Sequence, residues 1–208
     1  MKKERRIISG FLITVSLLLA IGCDTGGSSG GSTSYAIGDT GPAIGDTGPA
    51  GGLIFYIDEA DAYSWTYLEV APVTSEWTFK EWGDSGTQIG GDAALTGICD
   101  GQAATDAIVD HMEGESITGT AAQLCDALIC GGYDDWFLPS KGELDAIWDN
   151  LVNDGTGENS GVGGFADDYY WSSSESNSND AWYQHFDDGF QDDDNKDFAR
   201  RVRAVRAF

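Results

Sequence analysis

The last forty residues, Tyr169 to Phe208, constrain the fold more than any other part of the chain. Tyr170-Trp171-Ser172-Ser173, Trp182, Phe186, Gly189 and the closing run Arg201 to Phe208 form an aromatic and glycine framework. Threaded through it are Ser176 to Asp180, Tyr183, His185, Asp187, Asp188, Phe190, Asp192 to Asn195 and Asp197 to Arg200, residues of a kind that can be exchanged. The pattern predicts strands over Tyr169–Ser173, Ala181–Phe186 and Arg201–Phe208, joined by polar turns. Trp171, Trp182, Phe186 and Val205 are expected to bury and fix the backbone. Tyr183, His185, Asp187, Phe190, Asp192, Asp194 and Phe198 are expected to face outward. A frame that displays aromatic and acidic groups around no evident reactive group points to binding rather than catalysis.

The preceding residues supply the rest of a mixed fold. Ala36-Ile37-Gly38-Asp39-Thr40-Gly41-Pro42 recurs unchanged as residues 43–49, too short a repeat for a collagen helix and better read as a duplicated turn. It leads into a strand over Gly52–Ile57, and Tyr67–Ala71 reads as a second. Glu76 to Trp82 alternates with period two, which predicts that Trp77 and Phe79 bury on one face. Gly83 to Gly101 reads as a loop, and Gln102–Met112 and Thr120–Cys130 read as helices, the second with a stripe of Ala121, Leu124, Cys125 and Leu128. Ser140 and Glu143 have the spacing of a capping box, followed by a core face of Leu144, Ile147, Trp148 and Leu151. Strands, then two or three helices, then strands predict an α+β domain.

The N-terminus reads as an export signal. Lys2, Lys3, Arg5 and Arg6 precede an apolar stretch from Phe11 to Ile21, which ends at Gly22-Cys23. The stretch is shorter than the ~20 residues a spanning helix needs. Leu19-Ala20-Ile21-Gly22-Cys23 resembles a bacterial lipobox, with Ala20 where leucine is usual, so Cys23 is the expected lipidation site and membrane anchor. Residues 24–34 are mostly glycine, serine and threonine and would act as a flexible tether. The expected organisation is a signal peptide over 1–22, a tether over 23–34 and one domain over 35–208.

Charge narrows the partners. Beyond residue 22 the chain carries 34 acidic and 7 basic residues, a net charge near −27. Such a field repels nucleic acid and sulfated polysaccharide. Arg200, Arg201, Arg203 and Arg206 concentrate the cationic charge at the C-terminus and are expected to pair with surrounding carboxylates and close the fold. Cys99, Cys125 and Cys130 fit either one bridge with a free thiol or three buried thiols. No cysteine or histidine spacing suggests a metal, and no cofactor motif is present.

A specific resemblance rests on Gly132-Tyr133-Asp134-Asp135-Trp136-Phe137-Leu138-Pro139-Ser140, Glu143-Leu144 and Tyr170-Trp171-Ser172-Ser173-Ser174-Glu175. Together with residues 44–52 and the ending Arg201 to Phe208, they resemble the C-terminal domain family of the Legionella collagen-like protein over residues 35–208. Within it, the chain is similar to the Treponema variable protein-like lipoproteins, surface proteins diversified by a retroelement. The resemblance implies a C-type lectin-like fold of the formylglycine-generating-enzyme type, on the bacterial cell envelope at the outer-membrane surface. It also implies a variable face that binds a protein or glycan ligand. The expected ligand-binding residues are Tyr183, His185, Asp187, Asp188, Phe190, Asp192, Asp193, Asp194, Asn195, Asp197, Phe198 and Arg200. Retroelement mutagenesis rewrites adenines, so an asparagine codon can yield Asp, Ser, Tyr, His, Phe, Ala or Arg but never Gln, Glu, Lys, Met or Trp. Trp182, Gln184, Gln191 and Lys196 would then be the unmutated positions.

Three rivals define what the site must exclude. The fold's namesake enzymes use paired cysteines near the C-terminal part, yet no cysteine follows Cys130, and neither His111 nor His185 has a nucleophile motif around it, so catalysis is not expected. Asp187-Asp188 and Asp192-Asp193-Asp194-Asn195 offer calcium-type oxygen ligands, without EF-hand glycine or the sugar-binding lectin motifs. The third rival is an adhesin of fixed sequence.

Overall fold

The computed structural model describes residues 41–153, 155–157 and 159–208. The signal segment, Cys23, the tether and most of the first repeat copy lie outside the described residues. The second copy forms the expected turn. Gly45 N donates to Ile54 O at 2.8 Å and Ile54 N to Asp46 O at 2.9 Å, which delivers the chain into β1 (Leu53–Ile57).

Among the described residues the chain forms eight strands and three α-helices, an α+β arrangement with mixed sheets. β1 pairs with β2 (Tyr67–Val70), and β2 with β8 (Val205–Ala207), in a three-stranded antiparallel sheet. A five-stranded sheet follows the order β3 (Trp77–Lys80), β7 (Arg200–Val202), β4 (Tyr169–Glu175), β5 (Asp180–His185), β6 (Gln191–Asn195). Its β4–β7 pair is parallel and its other pairs are antiparallel. Between the early and late strands lie α1 (Gly101–Gly114), α2 (Ala121–Asp126) and α3 (Lys141–Ile147).

Two buried clusters hold these layers together. One joins Trp82, Ile108, Met112, Cys125, Trp136, Leu138 and Trp171, and the other joins Phe55, Leu68, Leu144, Ile147, Trp148, Tyr170, Phe186 and Val205. α1 supplies Ala104, Ile108 and Met112 at intervals of four, the spacing that keeps one face inward. α3 begins as its capping box predicts: Ser140 Oγ accepts from Glu143 N at 3.1 Å, and the Glu143 carboxylate accepts from Ser140 N at 2.8 Å. The same carboxylate accepts from Cys99 N at 3.0 Å, so it also pins the preceding loop. Burial pushes the Glu143 carboxyl up to about 7.

Several expectations need correction. Phe79 does not bury: β3 carries an irregularity between Trp77 and Lys80, Phe79 has φ of 56°, and its ring is 80% exposed. Trp82, beyond the strand, buries fully instead and donates from Nε1 to Ser172 O at 2.8 Å. The helix expected over Thr120–Cys130 ends at Asp126, because Cys130 and Tyr133 pair across a glycine turn, with Gly131 and Gly132 both at positive φ. The C-terminal strand is two strands. At Arg203 and Ala204 the chain passes between sheets, with Arg203 Nε donating to Ala71 O at 2.7 Å and Ala204 O accepting from Ala71 N at 2.9 Å. The four arginines do close the fold: Arg206 pairs with Glu69 and Asp135, Arg201 with Glu76 and Asp168, Arg203 with Glu76 at 3.9 Å, and Arg200 with Asp194. Cys99 is exposed and free and Cys125 is buried and free, so neither alternative holds: no bridge forms among Cys99, Cys125 and Cys130, and the three are not all buried thiols.

Candidate ligand-binding face

The acidic run Gln191–Asn195, expected from sequence to lie in a polar turn between strands, is strand β6 and forms one edge of the larger sheet. Aspartate is a poor strand residue, which hides this element from propensity reasoning. Its carboxylates satisfy the edge themselves. Asp193 N donates to Asp192 Oδ1 at 3.0 Å, and Asn195 N donates to Asp194 Oδ1 at 2.8 Å. A neighbouring strand therefore finds these two amides already engaged.

Strand alternation sorts the side chains of β4, β5 and β6 into two rows. In the register, Tyr169 pairs with His185, Trp171 with Tyr183, and Tyr183 with Asp192. This row runs from buried Trp171 to half-buried Tyr183 and His185 and to Tyr169, which is 40% exposed. Tyr169 stacks on His185 with centroids 4.5 Å apart and meets Tyr183 edge-on at 5.3 Å. The Arg200 guanidinium lies 3.7 Å from the Tyr183 ring centroid and 4.8 Å from those of Tyr169 and Trp171. Its side chain is only 8% exposed and is paired with Asp194. Arg200 thus props the rings rather than reaching into solvent, and burial lowers its affinity for its proton.

The opposite row is anchored to α3. Gln184, fully buried, donates from Nε2 to Asp145 Oδ1 at 3.2 Å and to Gly189 O at 3.1 Å. Gln191 Nε2 donates to Lys141 O at 2.9 Å and to Gln184 Oε1 at 3.2 Å. Trp182 is half-buried rather than buried, with Lys141 Nζ 3.2 Å from its ring centroid. Beyond β6, Lys196 is fully buried and pairs with Glu175 at 2.7 Å while donating to Thr87 O and Ser178 O. Gly189 closes the β5–β6 turn at φ 77°, and a Cβ there would sit 2.3 Å from Trp148 Nε1, so any other residue would collide with the indole.

The remaining expected site residues divide by position. Asp187, Asp188 and Phe190 lie on the β5–β6 turn, and Phe190 is 59% exposed. Asp188 Oδ1 accepts from Phe190 N at 3.0 Å and meets His185 Nδ1 at 3.1 Å; these contacts, the amide first, hold its carboxyl below the usual range. Asp193 and Asn195 are half-buried: Asp193 accepts from Ser176 Oγ, and Asn195 Oδ1 accepts from Ser85 Oγ at 3.2 Å. Asp197 and Phe198 sit on the exposed β6–β7 turn. Tyr169 was not among the expected residues, although its place one residue before the Tyr170-Trp171 core pair was the available signal. Cys23 lies outside the described residues. Each histidine meets a carboxylate, His111 with Asp84 and His185 with Asp188, and no group of three or more His, Cys, Asp or Glu among the described residues could hold a metal ion.

The molecule is therefore an α+β domain whose C-terminal sheet is anchored on one side and open on part of the other. A family model described as the Lcl C-terminal domain matches residues 59–206, and the chain belongs to that family. The match begins after residues 44–52, which the resemblance had included. No curated protein matches the chain.

Proposed function

We propose that this is a lipid-anchored bacterial surface protein that binds a protein or glycan ligand through the open row and adjoining turns, with a C-terminal segment diversified by a retroelement. One observation carries the reading. Gln184, Gln191 and Lys196, which adenine mutagenesis could not produce, point into hydrogen-bonded or buried surroundings, and Trp182 lies against Lys141. Tyr183, His185, Asp187, Phe190, Asp192 and Phe198, which it could produce, are half-buried or exposed. A frame held from one side can change its other side at small ordering cost. The family is consistent with a surface, adhesin-like role.

The genome tests it directly. A near-copy of the final coding segment, differing only where the copy has adenine, is expected beside a reverse transcriptase gene. Finding neither leaves a fixed-sequence adhesin as the better reading. A library randomised at Tyr183, His185, Asp187 and Phe190 is expected to keep its cooperative melting transition in most members. Retention in the membrane fraction that survives Cys23→Ser would remove the proposed anchor.

A further inference from the structure

A cavity of about 400 Å³ opens where β3, the segment 117–120 and the β6–β7 turn meet. Glu81, Asp84 and Asp197 line it, with Ile117 as an apolar wall and Phe79 beside them. Phe79 is the residue that periodicity would bury; the fold instead turns its ring into solvent at 80% exposure beside this opening. Large apolar groups left in water next to a concavity mark binding surfaces.

We propose that this cavity is a second recognition site, which shares only the β6–β7 turn with the face proposed above, and that it takes the cationic side chain of a protein partner, a lysine ammonium or an arginine guanidinium. The charge balance selects that occupant. Among the described residues lining the cavity, three are acidic and Lys80 alone is basic. Asp84 is held ionised by its hydrogen bond to His111 at 3.0 Å. A lysine or arginine matches this lining at both ends: its aliphatic stem packs on Ile117 and the Phe79 ring, and its charged head meets the carboxylates. A neutral sugar gains nothing from the field of a chain of net charge −24, and a sulfated one is repelled.

The test is a calorimetric and NMR titration of the chain with the capped peptide acetyl-Gly-Arg-Gly-amide. Glu81→Gln with Asp84→Asn is expected to weaken binding about tenfold, and Phe79→Ala about threefold. Asp134→Asn with Asp149→Asn removes the same charge at other exposed positions and is expected to change affinity by less than about twofold. His185→Ala is expected to leave the titration unchanged, which keeps this site distinct from the open row. Should a cavity variant lower the melting temperature, Asp197→Asn on the exposed turn replaces it, with about threefold weakening expected. Equal weakening by the remote pair would show diffuse attraction only and overturn the proposal. So would equal binding of the neutral glutamine peptide, or movement of the cavity amides by methyl glucoside and not by the arginine peptide.

Discussion

Along β5 and β6 two sets of side chains share one backbone yet live in different surroundings. Gln184 and Gln191 on one side are tied to α3 and to each other, whereas Tyr183, His185 and Asp192 on the other rest on neighbouring rings or face water. The first set fixes where the strands lie; the second decides what they present. Stability and surface display are thereby assigned to alternating positions of the same short sequence, which is the division the proposed replaceable surface would require.

The sharpest challenge to that division is Lys196. Lys196→Met leaves Glu175 buried without its ion-pair partner, with only the Ile89 and Gly90 amides remaining, and is expected to cost about 3–5 kcal/mol in urea unfolding, although Lys196 directly follows the acidic run of β6. A loss below about 1 kcal/mol would place it with the replaceable set. Next comes Glu143, beneath the anchored side at the start of α3. The folded chain keeps the Glu143 proton to about pH 7, whereas an unfolded chain releases it near the ordinary 4.5. The folded state therefore binds the extra proton across that window, and stability falls as pH rises through it, by on the order of 2 kcal/mol from this group. Glu143→Gln should flatten the difference between unfolding at pH 5 and pH 8.

Gln184→Ala is expected to cost about 1–2 kcal/mol, since it strips partners from Asp145, Gly189 and Gln191. The smallest effect belongs to the open side: His185→Ala and Phe190→Ala should each shift stability by about 0.5 kcal/mol or less. If they cost as much as Gln184→Ala in the same thermal measurement, the two rows do not differ as described.

Legibility in the sequence followed the strength of local signals. The Ser140/Glu143 box, the Leu144-Ile147-Trp148-Leu151 face and the Phe55 and Tyr170-Trp171 strands were readable because capping and burial act through nearby residues. β6 was not, since five polar residues carry no apolar alternation, and its pairing with β5 is a property of the sheet. Phe79 was misread because period two assumes an unbroken strand, and the irregularity in β3 turns that ring outward. Arg200 looked available for a ligand, but only the assembled sheet places Tyr169, Trp171 and Tyr183 around it. Trp182 was expected inside, and the edge-ward position of β5 leaves it shared between Lys141 and water.

The carboxylates of Asp192 and Asp194 act as a selvedge, finishing the border of the sheet from within its own thread. Alanine or phenylalanine at either place would leave the next amide bare and turn the border into a seam along which two copies could zip. Of all the outward places, these two therefore accept a narrow alphabet, short side chains ending in an oxygen. A repertoire built by the proposed diversification would be smaller than the number of visible positions suggests, and the missing members would be those that stick to one another.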